Sequence, residues 1–228
     1  MNKIPVDMER AKKYAFNMRL REVFTDGLLS QVIWNVMFFI TSLPIFTIGA
    51  SMTALANCTN LHVVDDRAQF KPAKLYMASF KAAFKTTLPA GFLLLAVNTV
   101  FGYGLHFYIQ MMGENIMFVP LASLSLLVLV VVWAVAVHLM PLFCENTDYD
   151  TYTVTMAEKG LKELVGQAVQ IALVNMKKTV ICLFIGAVIV VAQLLFMPLT
   201  IPVVLTIGLV LPAQICAFSH TEPEILED

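Results

Sequence analysis

The sequence predicts an all-α membrane protein with six transmembrane helices in three hairpins, each hairpin preceded by a cytoplasmic amphipathic helix. Two observations lead to this fold class. Of the 228 residues, 59% are apolar and 14% are charged, whereas soluble domains carry about 25% charged residues. The apolar residues also fall in long blocks nearly free of charge, each near the ~20 residues that cross a bilayer. We therefore expect one integral membrane domain over residues 1–228.

Taken in chain order, residues 1–27 are predicted to be a cytoplasmic arm, since they hold six of the basic residues. The predicted spans follow where apolar runs lie between turn residues. Their approximate bounds are 28–43, 45–64, 87–111, 116–143, 179–197 and 199–219.

Two segments between the spans have the pattern of interfacial helices, with an apolar stripe at helical spacing and charged residues off the stripe. They cover residues 70–85 and 157–175. The stripe of the first is Phe70, Ala73, Met77, Phe80 and Phe84, and the stripe of the second is Leu161, Leu164, Val165, Ala168, Ile171 and Ala172.

The distribution of basic residues predicts the orientation. All fifteen Lys and Arg residues lie before residue 28, within 65–86 or within 144–178. The positive-inside rule places such segments in the cytoplasm, so both termini are predicted inside and the turns near 44, 113 and 200 outside. A rival topology with one span at 28–50 would separate the first basic group from the second, and the same rule disfavours it.

No sequence motif indicates catalysis. The chain has no dinucleotide fingerprint, phosphate loop, nucleophile elbow or HExxH motif, and no evident acid–base pair. The predicted spans contain no Asp, Glu, Lys or Arg, although ion-coupled carriers usually need such groups. We therefore predict a non-enzymatic protein without cofactor or metal site.

The stretch around the first predicted turn is the strongest signal for helix packing. Pro44 cannot continue a helix ladder and marks the turn. Small side chains then recur on one helical face, with Gly49 preceding Thr53 by four residues and Ala50 preceding Ala54 by four. Such spacing lets membrane helices approach closely, so this stretch is predicted to be a tight turn followed by a closely packed helix.

Polar side chains within the predicted spans allow two hypotheses. In lipid they must face other helices or a water-filled cavity. The first hypothesis is that they join helices by hydrogen bonds. The second is that Asn57, Asn60, Asn98 and His106 line a path for a polar solute.

The segment 70–85 carries a basic face formed by Lys71, Lys74, Lys81 and Lys85. One interpretation is attachment to anionic lipid of the inner leaflet, worth about 1 kcal/mol per basic residue. The other is docking to a cytoplasmic or membrane partner.

The turn motif resembles the opening motif of the YesL family of bacterial integral membrane proteins. The residues that carry the resemblance are Asn35, Phe38, Ser42, Leu43, Pro44, Ile45, Thr47, Ile48, Gly49, Ala50, Ser51, Thr53, Ala54 and Leu55. Phe80-Lys81-Ala82-Ala83-Phe84-Lys85, Gln167-Ala168 and Pro212 are similar to later family features.

This resemblance implies a protein of the bacterial cytoplasmic membrane whose biochemical function is unknown. Family members often lie near genes for carbohydrate uptake and polysaccharide breakdown. From this we expect an accessory protein that binds the permease subunits of a carbohydrate ABC uptake system. The alternative is a transporter or channel for a small neutral solute.

Overall fold

The computed structural model describes residues 27–64, 71–113, 115–148, 151–196, 212–214 and 217. The predicted N-terminal arm, apart from Gly27, and most of the predicted sixth span lie outside the described residues. The described chain is mostly helical. Its elements are α1 (Leu28–Ser42), a 3-10 turn (Ile45–Thr47), α2 (Ile48–Val64), α3 (Pro72–Met111), α4 (Phe118–Leu139), a second 3-10 turn (Pro141–Phe143), β1 (Cys144–Asp148), β2 (Thr153–Met156), α5 (Leu161–Val174) and α6 (Met176–Leu195).

Within the described residues, two segments are long and apolar enough to cross a membrane, namely Pro72–Met111 and Phe118–Phe143. A third span is possible if α5 and the first part of α6 count together, but the two helices meet at 95°. Helix α1 is apolar but shorter. The structure thus supports a helical membrane protein with two or three spans, and the six-span arrangement stays a prediction.

Helix α3 joins two segments that the sequence analysis separates. The predicted interfacial helix and the predicted third span form one helix of 40 residues, about 60 Å long. Pro89 lies inside it without ending it. The predicted division between residues 85 and 87 is therefore not present.

The buried face of α3 also differs from the predicted stripe. Ala73 is exposed, and Met77, Phe80 and Phe84 are half-buried. The face that packs inward combines small residues, which allow the close approach of α2 at Gly91, with a few large side chains. The buried residues of α3 are Leu75, Tyr76, Ser79, Ala83, Thr87, Ala90, Gly91 and Leu94.

Helix α2 is the central element of the described fold. It packs against α1, α3 and the 3-10 turn that follows Leu139. Near its start, Gly49 lies against Gly91 of α3, and the Thr53 hydroxyl lies 3.5 Å from the Met140 sulfur, just after α4. Further along, the Asn57 amide donates to Thr147 of β1. Helix α2 therefore starts beside the C-terminal end of α4 and continues beside the polar strand that follows it.

This packing places two of the turns predicted to face outside, those near residues 44 and 113, at different heights along α3. The turn at Ile45–Thr47 contacts α3 and lies next to Gly49, which touches Gly91. Met111, where α3 ends before the second turn, is 20 residues beyond Gly91, about 30 Å along the helix. That length equals the hydrocarbon thickness of a bilayer. The two turns therefore lie at opposite ends of residues 91–111.

A β-hairpin follows α4, where the sequence analysis expects only a polar, acidic stretch. Strands β1 and β2 pair antiparallel, with Asn146 opposite Thr155 and Asp148 opposite Thr153. The connection contains Tyr152 with φ of 56°, a left-handed conformation that is uncommon outside glycine. Side-chain hydrogen bonds from Thr151 to Asp148 (2.7 Å) and to Thr153 (2.9 Å) hold the connection.

Helix α5 has the predicted stripe. Leu164 and Ala168 are buried, and the other stripe residues are half-buried. Lys162, Glu163 and Gln170 are exposed, as expected for the opposite face. The buried residues pack in a core with the inner parts of α3 and α4, including Ala90, Leu94, Ala136, Leu139, Met140 and Phe143.

Candidate functional site

The turn between α1 and α2 is held by its own side-chain hydrogen bonds. The Thr47 hydroxyl lies within hydrogen-bonding distance of the carbonyl oxygens of Thr41 and of Pro44, the latter at 2.6 Å. The backbone N–H of Thr47 also donates to Pro44 (2.8 Å), and the Ser51 hydroxyl donates to the Thr47 carbonyl (3.1 Å). Thr47 thus satisfies carbonyl groups that the end of α1 leaves open.

The small residues of the motif lie at the α2–α3 contact. A Cβ on Gly49 would lie 2.8 Å from the Thr87 carbonyl oxygen and 2.9 Å from the Gly91 Cα. A Cβ on Gly91 would meet the Gly49 backbone at 3.0 Å. Ala50 and Ala54 are buried as well, with exposures of 1% and 0%. The backbones of α2 and α3 therefore touch where only glycine fits.

The remaining motif residues divide between core and surface. Asn35 and Ser51 are fully buried. Leu43 is 79% exposed, and Pro44 is exposed too. The turn thus presents an apolar side chain to its surroundings, while its polar members point into the bundle.

Tyr76 joins three helices and was not identified from the sequence. Its side chain is completely buried. The hydroxyl lies 2.8 Å from the Thr41 hydroxyl of α1 and donates to the Ser51 carbonyl of α2 at 3.4 Å. The tyrosine falls off the apolar stripe that the sequence analysis assigns to residues 70–85, so periodicity gave no signal for it.

Trp34 and His62 form a second contact that sequence reasoning missed. The Trp34 indole N–H donates to the Pro72 carbonyl (3.1 Å) at the start of α3. Its ring meets the His62 ring edge-to-face at 5.5 Å between centroids. Gly27 packs so closely that a Cβ there would lie 2.3 Å from the His62 Nε2. The start of α1 and the end of α2 are therefore joined.

The four residues of the predicted polar path are placed in different surroundings. The Asn57 amide donates to Ser79 (2.9 Å) and to Thr147 (3.2 Å). The Asn98 amide donates to the Leu94 carbonyl (2.8 Å), and its oxygen accepts from the Trp133 indole N–H (2.8 Å).

The third residue of the path, His106, lies apart from these two. His106 is exposed and lies 3.1 Å from the Gln110 amide. Ser79, the partner of Asn57, precedes Asn98 by 19 residues of α3, about 28 Å along the helix. Asn57 and Asn98 therefore do not share a site.

Asn60 borders a cavity of about 440 Å³ between α1, α2, α4, α6 and the described residues near 212–217. Among the described lining residues it is the only one with an amide or charged side chain. The others include Phe38, Met52, Leu55, Trp133, Met140 and Leu183. The volume lies within the range of about 300–1,000 Å³ that is typical of ligand sites.

The basic face of α3 is open to the surroundings. Lys71, Lys74, Lys81 and Lys85 are all exposed. The Lys74 ammonium lies 4.3 Å from the centre of the Tyr152 ring, and that of Lys71 lies at 6.0 Å. A cation over an aromatic ring is worth about 0.5–1 kcal/mol at exposed sites. The β-hairpin thus holds the first two lysines beside each other.

Two further polar groups lie near the C-terminal end of α4. The buried His138 ring lies 2.8 Å from the Thr179 hydroxyl of α6. The Cys144 thiol, at the start of β1, is partly buried, and burial raises its pKa from 9.0 to about 12. Among the described residues, no group of three or more His, Cys, Asp or Glu side chains is placed to hold a metal ion.

The part of the chain that contains most of these contacts is similar to a known sequence family. Residues 31–105 match the family model described as Protein of unknown function, DUF624. The match is consistent with the predicted YesL-type resemblance. Neither curated proteins nor solved structures give a match to the chain.

The DUF624 segment, meaning the matched residues 31–105, contains the turn motif, the Gly49–Gly91 contact and Tyr76. It ends on α3, so α4 and the β-hairpin lie beyond it. The polar partners of Asn57 and Asn98 that lie beyond residue 105 are Thr147 and Trp133. The DUF624 segment therefore forms its own helix contacts and binds later elements through two asparagines.

Proposed function

We propose that this chain is a non-enzymatic protein of the bacterial cytoplasmic membrane that binds and stabilises the permease subunits of a carbohydrate ABC uptake system. Both termini face the cytoplasm in this proposal. The role as an importer partner follows from the family resemblance and its association with carbohydrate-uptake genes.

The proposal rests on one observation, that two asparagine side chains inside the bundle hydrogen-bond to side chains of neighbouring elements. Asn57 binds Ser79 and Thr147, and Asn98 binds Trp133. These groups connect helices instead of converging on a ligand. A protein whose internal polar groups maintain its own fold is suited to act through its surface.

The basic face of α3 is the surface that we propose for docking. Its four lysines are exposed, and the half-buried Met77, Phe80 and Phe84 lie on the same helix. The helix thus presents exposed cations beside partly exposed apolar side chains, so its surface has a charged part and an apolar part. We expect it to bind an acidic cytoplasmic surface of the permease.

Affinity capture tests this proposal. The full-length chain, tagged and expressed in its own cells, is solubilised in mild detergent and its bound proteins are identified by mass spectrometry. Permease subunits of a carbohydrate importer should be enriched over an unrelated tagged membrane protein. Recovery of the chain without any permease subunit would exclude the accessory role.

Two matched charge reversals locate the docking surface. The first variant changes Lys74, Lys81 and Lys85 to Glu, and the control changes Lys159, Lys162 and Lys177 to Glu. All six lysines are exposed. Loss of the permease from the first variant alone supports docking to α3. Equal capture by both variants would assign the α3 face to anionic lipid instead.

The alternative function, transport of a small neutral solute, has less support. It requires the polar path, but Ser79, which binds Asn57, lies about 28 Å along α3 from Asn98. Solute flux into proteoliposomes that Asn57→Ala abolishes would nevertheless establish it.

A further inference from the structure

The cavity beside Asn60 has the length of one lipid leaflet. Along α4 its lining extends from Leu129 to Pro141, which is 12 residues or about 18 Å. Half of the ~30 Å hydrocarbon core of a bilayer is about 15 Å. A single extended hydrocarbon chain from one leaflet therefore fits the cavity from end to end.

The cavity opens towards the outer apolar surface of the helices. Two lining residues, Val130 of α4 and Val191 of α6, are 47% and 52% exposed. Ala187 lines the cavity and is exposed as well. The opening therefore lies between α4 and α6, two helices whose exposed surfaces are apolar. Around such a surface in a bilayer, the available molecules are lipid acyl chains.

The polar end of the cavity is defined by α2. Asn60 follows Asn57 by one helical turn, and Asn57 binds Thr147 of the polar hairpin. Asn60 thus lies toward the hairpin, where α4 has ended. Leu129 and Val191 lie on the apolar helices of the other wall. An occupant with one polar end and one long apolar chain would match this polarity.

We propose that this cavity binds one acyl chain of a glycerophospholipid, taken from the leaflet that contains the C-terminal end of α4. The chain lies between α2 and the α4–α6 pair, and the polar part of the lipid lies beside Asn60. The bound chain makes dispersion contacts with the apolar walls of the cavity.

A glycine pair provides a matched test. Gly186 lines the cavity, and a Cβ built on it has no atom within 4 Å. Gly102 of α3 has equally open space but does not line the cavity. Gly186→Leu should therefore fill the cavity, whereas Gly102→Leu adds the same side chain elsewhere. Lipid bound after extensive detergent washing is then measured by native mass spectrometry.

The expected result is one phospholipid retained per chain in the wild type and in G102L, and an occupancy lower by about tenfold in G186L. Equal occupancy in G186L would overturn the proposal. So would a wild type without bound lipid, or one that retains a free fatty acid or another apolar molecule in place of a phospholipid.

A second measurement does not depend on the folding of G186L. The chain has two tryptophans. Trp133 lines the cavity, whereas Trp34 is fully buried in the cluster behind Phe38 and Leu55 and is not a lining residue. W34F leaves Trp133 as the reporter, and W133F leaves Trp34 as the control. Phospholipid brominated on its acyl chain is titrated into each protein in detergent. Quenching of Trp133 that saturates at one lipid per chain supports the site, and unsaturable or equal quenching of both reporters overturns it.

Discussion

The turn between α1 and α2 gives the sharpest test of how the chain lies in the membrane. The positive-inside rule predicts that this turn and the turn after α3 both face outside. In the structure the first turn lies beside Gly91, and α3 continues about 30 Å beyond that point. If residues 91–111 cross the bilayer, the first turn cannot reach the outer surface. We then expect α1 and α2 to approach from the cytoplasmic side and return to it.

This arrangement still satisfies the charge distribution. A hairpin that returns to the cytoplasm leaves the basic residues before position 28 and those in 65–86 on the same side. It also agrees with the length of α1, which is 15 residues against the ~20 needed to cross. Leu43, Ile45 and Phe46 are 79%, 62% and 51% exposed, so the turn is apolar enough to lie against the inner boundary of the hydrocarbon.

Cysteine labelling measures the difference. In a background without native cysteines, single cysteines replace Phe46, Gly113 or Lys159, and intact cells are treated with a membrane-impermeant maleimide. G113C should react from outside, whereas K159C should react only after permeabilisation. F46C is expected to behave like K159C. Labelling of F46C from outside at the rate of G113C would refute this reasoning and restore the predicted outer turn.

Three other predictions follow from single contacts. Gly91→Ala should destabilise the protein by roughly 1–3 kcal/mol, because the new Cβ would lie 3.0 Å from the Gly49 backbone. Thermal unfolding measures this loss of stability, and Gly102→Ala is the control, since a Cβ there has open space and should leave the stability unchanged. A double-mutant cycle of Asn98→Leu and Trp133→Phe should give a coupling of about 0.6–1.7 kcal/mol, and additive effects would mean that their 2.8 Å hydrogen bond contributes nothing. Alkylation of Cys144 at pH 8, followed by site-resolved mass spectrometry, should be more than tenfold slower than that of an ordinary thiol. Burial raises the pKa of this thiol to about 12 and leaves little thiolate, and the greater nucleophilicity of a more basic thiolate offsets only part of that loss. The rate should keep rising above pH 9, and a plateau near pH 9 would contradict the assigned burial.

The sequence predicted elements whose pattern is local. The stripe of α5 was correct because Leu164 and Ala168 recur at helical spacing and pack against one core. The glycine and alanine spacing after Pro44 predicted a closely packed helix, and Gly49 does touch Gly91. In both cases the side chains that decide the contact are neighbours along one helix, so their period is visible in a single sequence.

Other features depend on partners that no local pattern identifies. The lysines between residues 71 and 85 predict an interfacial helix that ends before the third span. In the structure both segments form one helix, α3, which packs closely against α2. The β-hairpin was missed since Cys144–Asp148 is polar and its strands stabilise each other across a connection that includes Tyr152. The buried role of Tyr76 likewise requires Thr41 and Ser51, which lie 35 and 25 residues away.

The polar residues show why composition alone could not choose between a solute path and helix contacts. An asparagine inside an apolar segment needs a hydrogen-bonding partner in either case. Asn57 finds its partners 22 and 90 residues away, at Ser79 and Thr147, and the second lies on the unpredicted hairpin. Once these partners are known, Asn57 is a link between α2, α3 and the hairpin. Asn60, one turn further along α2, lines the cavity between α2, α4 and α6, and the lining of that cavity favours a hydrocarbon chain over a polar solute.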